Sequence, residues 1–87
     1  MIRKNIIKFG APWCPACIQM DPILKDFCKE NDIELESINA DEGSPLIEQY
    51  KITSLPTTLV FREGTLLNKI IGFRNQRQLK KEIFGDD

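Results

Sequence analysis

Apolar and polar positions alternate along the chain with two different periods, and the places where the period changes mark the elements. Residues 4–10 hold Ile6, Ile7 and Phe9 in a short apolar run that Gly10 ends, the pattern of a buried strand. Lys8 interrupts that run and is expected to reach solvent from its strand position. From Pro15 to Glu30 the period becomes helical: Met20, Ile23, Leu24, Phe27 and Cys28 recur at the three- and four-residue spacing of a core-facing stripe. Pro15 suits the first helical position, where a missing N–H costs nothing. Pro22 lies inside the same helix and predicts a kink between Ile18 and Pro22, not a break. Asn31 and Asp32 close the element.

Residues 33–38 alternate apolar and polar, a strand with one buried face. Asp41, Glu42 and Gly43 make a turn. Ser44 and Pro45 then open a short helix as cap and first residue, carrying Leu46, Ile47 and Tyr50. Two β-rich runs, 57–61 and 66–71, flank the Gly64-containing loop 62–65 and read as a hairpin. Asn75 and Gln78 form a capping box for a last helix whose core contacts are Leu79 and Ile83. The order is strand, helix, strand, helix, strand, strand, helix. A helix joins the first two strands, so they should run parallel. The last two should be antiparallel, giving an α/β fold with a mixed four-stranded sheet and helices on both faces.

Composition narrows the class without changing this picture. The 87 residues suit one domain spanning 1–87; 41% are hydrophobic and 29% charged, a globular balance. Formal charge is −1, with 12 basic against 13 acidic side chains, which argues against a nucleic-acid partner or a polybasic membrane contact. No apolar run reaches the ~18 residues a membrane span needs. The early positive charge near the N-terminus is followed too soon by Lys8 for a signal peptide, so a reducing cytoplasm is the expected compartment.

Chemistry concentrates in Trp13-Cys14-Pro15-Ala16-Cys17, at the point where strand gives way to helix. One helical turn brings two thiols close enough to share a bond, and the unpaired N–H groups of the helix start favour a thiolate on the first. In this context Cys-x-x-Cys reads as a redox motif. Half of a zinc site and a structural disulfide are the competing readings. Zinc usually takes four ligands, and the chain has three cysteines and no histidine; a structural disulfide needs an oxidising compartment. No bound cofactor or metal is therefore expected. Cys28 lies eleven residues beyond Cys17, about 16 Å away along a helix, too far for a disulfide and expected to be a buried small hydrophobe.

Taken together, Trp13-Cys14-x-x-Cys17, Pro22, Ser54-Leu55-Pro56-Thr57, Gly64, and Gly72 with Gln78-Leu79-Lys80 resemble the thioredoxin family over nearly the whole chain. The likeness is to its minimal form, without the usual first strand and helix. The resemblance implies a protein-disulfide reductase in which Cys14 attacks a target disulfide and Cys17 resolves the mixed disulfide. It also implies a cis Pro56 facing the sulfurs and an apolar docking rim of Trp13, Leu55, Pro56 and Phe73. Its partners would be disulfide-containing proteins, with a ribonucleotide reductase as one client by family habit, and an upstream disulfide reductase; the chain would act as a monomer. Pro15 and Ala16 should tune Cys14. Proline in the first helical position leaves the N–H groups of both Ala16 and Cys17 free to donate to its sulfur. Lys8 departs from the family, which usually buries a proton-transferring aspartate there; a lysine could take that role only if burial favoured its neutral form. Two other readings stay open. A glutathione-dependent glutaredoxin would share the Cys-Pro-x-Cys pattern, but residues 71–74 lack the Gly-Gly and nearby acidic residue of that family. A non-catalytic binding module would make the cysteines incidental.

Overall fold

The sheet is built so that its two most apolar strands lie in the middle. The computed structural model describes residues 4–85, leaving the charged N-terminal residues 1–3 of the compartment reading outside it. Strands β1 (Lys4–Gly10), β2 (Glu34–Asn39), β3 (Thr57–Arg62) and β4 (Thr65–Ile71) pack in the order β2-β1-β3-β4. β1 runs parallel to β2 and antiparallel to β3, and β3 pairs antiparallel with β4 across a bulge at Val60/Phe61. The expected mixed sheet is present, with strand ends shifted by one residue at β2, β3 and β4.

Helix α1 (Pro15–Glu30) has the expected bounds, with Pro15 in its first turn, and continues unbroken through Pro22. Asn31 caps its end, its amide donating to the Phe27 carbonyl at 2.8 Å. The stripe buries Met20, Leu24, Phe27 and Cys28 against Ile6, Val60 and Ile70 of the sheet and against Leu79 and Ile83 of α3 (Gln76–Phe84). Helix α3 starts at the Asn75/Gln78 capping box, with both of its reciprocal bonds in place. The five-residue helix α2 (Pro45–Gln49), capped by Ser44, covers the opposite face, where Leu46, Ile47 and Tyr50 pack on Phe9, Leu59 and Phe61.

Parity along β1 assigns the two cores. Successive side chains alternate faces, so Ile7 and Phe9 face the α2 side while Ile6, Lys8 and Gly10 face α1. Cys28 is free and buried on the α1 side, and burial pushes its thiol up from 9.0 to about 11. The folded thiol then holds its proton after the unfolded one has lost it. The stability that Cys28 contributes is fully present below pH 9.0 and is lost as pH rises towards about 11. A Cys28→Ala variant should lack this part of the alkaline loss when melting temperatures are compared across that range.

Candidate active site

The site forms where the C-terminal ends of β1 and β2 meet the start of α1. Gly10 pairs with Asn39 in the parallel register, so the residues leaving each strand become neighbours. Ala11 and Pro12 carry the chain from β1 to Cys14, the N-cap of α1. Cys14 and Cys17 are joined as a disulfide, with Cα atoms 5.3 Å apart. Both are buried, Cys14 at 6% exposure and Cys17 at 1%.

The Cys17 N–H donates to the Cys14 sulfur at 3.3 Å. It is one of the two helix-start donors, with the Ala16 N–H, that proline in the first position leaves available to that sulfur. Once Cys14 is a thiolate, the Ala16 N–H belongs to the positive end of the helix, whose effect on a nearby charge is roughly 0.3–1 kcal/mol. A Pro15→Gly, Ala16→Pro variant, which deletes the Ala16 N–H, should therefore titrate its Cys14 thiol at higher pH by less than about one unit. Thiolate absorbance of the two reduced proteins measures the difference.

Around the disulfide, Ala11, Ala16 and the half-buried Leu55 complete a small apolar cluster. The Leu55–Pro56 peptide bond is cis, and Pro56 is fully buried. The Pro56 carbonyl accepts from the Gly72 N–H at 2.8 Å, which ties the segment before β3 to the end of β4 and brings Phe73 to the same corner. Trp13 is 65% exposed, and its indole N–H donates to Asp41 at 2.9 Å. Phe73 is also exposed. Asp41 had not been singled out. Its place follows from the parallel pairing of Gly10 with Asn39, which sets the two strand exits side by side.

Lys8 overturns its sequence expectation. It does not reach solvent but is buried at 3% exposure, with its side chain on the α1 side. Its ammonium donates to the Cys17 carbonyl at 3.2 Å and forms an ion pair with Asp21. The cause is geometry: β1 is a central strand with helices over both faces, and Asp21 sits one helical turn beyond Cys17, directly over position 8. Sequence reading missed Asp21. The available signal was its four-residue spacing from Cys17 combined with an unpaired cation on the preceding strand. Gly10 belongs to the same arrangement, because a Cβ there would lie 2.9 Å from Lys8 Nζ and 3.2 Å from Cys17 Cβ. A cleft of about 270 Å³ opens beside them, lined by residues that include Lys8, Gly10, Asp21 and Ser37.

Among the described residues, no group of three or more His, Cys, Asp or Glu is placed to hold a metal ion, and no helix is long and apolar enough to cross a membrane.

A helix-capping Cys14 bonded to Cys17, with the Leu55 of a cis Leu55–Pro56 peptide packed against them, defines a chemistry, and comparison with known proteins supplies the lineage. The family model described as Thioredoxin matches residues 2–84. The chain belongs to the thioredoxin family. It is 29% identical over 83 residues to a thioredoxin of Alicyclobacillus acidocaldarius, covering 93% of this chain and 79% of that protein. It is 31% identical over 79 residues to a thioredoxin of Chlamydia pneumoniae, covering 90% and 78%. Among solved structures, the oxidized form of mitochondrial thioredoxin 3 from Saccharomyces cerevisiae superimposes with a TM-score of 0.81 at 32% identity, covering 93% of this chain and 76% of that one. The fold is thus a thioredoxin fold of four strands and three helices. With its Cys14–Cys17 pair, this thioredoxin-family chain is a protein thiol-disulfide oxidoreductase.

Proposed function

We propose that the protein runs in the reducing direction, with Cys14 as the attacking thiolate and Cys17 as the resolving thiol. The observation that carries the two roles is the position of Cys14 as N-cap, its sulfur receiving a helix N–H while Cys17 lies a turn deeper. A thiolate formed at Cys14 meets the positive end of the α1 dipole, which stabilises it. It attacks one sulfur of a target disulfide; the target's other sulfur leaves as a thiolate and takes up a proton. The Cys17 thiolate then attacks Cys14, breaking the mixed disulfide, and the second target sulfur departs. The Cys14–Cys17 disulfide that remains is returned to the dithiol by an upstream disulfide reductase, so the chain carries two electrons between proteins without a bound cofactor.

Trp13, Leu55, Pro56 and Phe73 form the docking rim in this reading. Exposed aromatic rings at Trp13 and Phe73 offer apolar contact, and the bond from Trp13 to Asp41 limits the freedom a partner would have to freeze. The partners are disulfide-bonded proteins, a ribonucleotide reductase being one candidate client. The protein works as one domain and as a monomer, in the cytoplasm.

The test is a trap. Cys17→Ser cannot resolve, so it should accumulate mixed disulfides through Cys14 that survive denaturing electrophoresis and disappear on reduction. If adducts accumulate in Cys14→Ser and not in Cys17→Ser, the two roles are reversed.

A further inference from the structure

Resolving the mixed disulfide requires Cys17 to lose its proton in a place that water hardly reaches, since the residue is 1% exposed. The groups that face it from the surrounding elements are few. From β1 comes Lys8; from α1, Asp21 and Cys14 itself. Thr58 on β3 and Ser37 on β2 are the direct strand neighbours of Lys8. Neither titrates, and the Thr58 hydroxyl, fully buried, has no hydrogen-bond partner. Lys8 and Asp21 are the charged residues lining the adjoining cleft.

These two charges are not equivalent when viewed from the sulfur. The Lys8 side chain is 4% exposed and that of Asp21 43%. Water screens the carboxylate and barely touches the ammonium, so the field of the pair at Cys17 keeps a positive sign. Contact geometry agrees. Lys8 bonds to the carbonyl of Cys17, and a methyl group at Gly10 would stand 2.9 Å from its Nζ and 3.2 Å from Cys17 Cβ, so the two lie close together. Asp21 holds the long lysine chain in that position from the wet side of the cleft.

We propose that the buried Lys8 ammonium, anchored by Asp21, stabilises the Cys17 thiolate in the resolving step, making Lys8 and Asp21 positioning residues that act through charge on Cys17. This rests on the reading of Cys14 as attacker and Cys17 as resolver. The stabilised species is the one that attacks: the Cys17 thiolate forms the bond to the Cys14 sulfur, the bond from Cys14 to the target breaks, and the target leaves as a thiolate.

Stopped-flow reaction of the reduced protein with dithiobis(nitrobenzoate) reads both steps. Attack by Cys14 releases one nitrothiobenzoate and resolution by Cys17 releases a second; with reagent in excess the second phase is followed against pH. Lys8→Met should raise the midpoint of the second phase by about one pH unit, tenfold slower resolution below the midpoint. The double variant Lys8→Met, Asp21→Asn should fall between Lys8→Met and the wild type, because it loses the cation and the opposing carboxylate together. The double variant also leaves no carboxylate without its partner, so it keeps the test usable if Lys8→Met folds poorly. A midpoint in the double variant at or below that of the wild type overturns the inference alone. Cys14→Ser should lose the fast first phase and the coupled second release, leaving only slow reaction of the buried Cys17 and Cys28 thiols; two releases at wild-type rates there overturn the assignment of Cys14, and the inference with it.

Discussion

Replacing Cys14 by serine is expected to reduce disulfide-reducing turnover to background, a loss of at least about a thousandfold. The thiolate is the nucleophile, and a serine hydroxyl at the same place stays protonated near neutral pH. The same replacement should leave the fold of the reduced protein intact. Serine is a preferred N-cap, and its oxygen can accept the Cys17 N–H that the Cys14 sulfur accepts now. Activity and stability therefore separate at this position. Coupled turnover of a disulfide-bonded protein, alongside melting of the variant and the reduced wild type, checks both halves. Residual turnover above a tenth of wild type would show that Cys14 is not the attacking group.

Gly10→Ala should destabilise the protein by about 1–3 kcal/mol, the usual cost of forcing extra atoms into a packed core. Backbone propensity predicts the opposite sign, since glycine inside a strand is about 0.5–1 kcal/mol worse than alanine. Contact geometry decides between them. The added methyl meets Lys8 Nζ at 2.9 Å and both Lys8 Cε and Cys17 Cβ at 3.2 Å. A lysine tip can usually swing aside, but this one is buried and bonded to Cys17 and Asp21, so moving it breaks those contacts. The Cys17 side chain is held by the first turn of α1, and the Gly10 backbone by its pairing with Asn39. For a domain of this size each kcal/mol lowers the melting temperature by roughly 4–8 °C, well within reach of calorimetry. Stability equal to or above wild type would mean that Lys8 gives way freely and that its anchoring is weak.

The elements were legible because their causes are local. A stripe from Met20 to Cys28 needs only its own spacing to show a buried helix face, and the Asn75/Gln78 box is complete within four residues. The redox pair was legible for the same reason: Cys14 and Cys17 are one turn apart, and the turn itself brings the sulfurs together. Cys28 followed from helix length alone. The reading of Lys8 failed because a strand pattern does not tell which strands lie in the middle of the sheet. An isolated lysine on an edge strand would have reached water; on a central strand roofed by α1 it could not.

Spacing, capping residues and turn chemistry in the chain were therefore enough for the order of elements, the mixed sheet and the dithiol at the start of α1, each set by residues within a turn or two of one another. The surroundings of that dithiol come from long-range packing. Asp41 reaches Trp13 because parallel strands end together, Gly72 ties down the cis-proline segment because β3 and β4 pair, and Asp21 meets Lys8 because α1 crosses β1 at position 8. These contacts join residues from different elements, and only the pairing of strands and the packing of helix on sheet give them their distances. Lys8 is among them: a lysine that the strand pattern assigned to water is held against the Cys17 carbonyl by a helix.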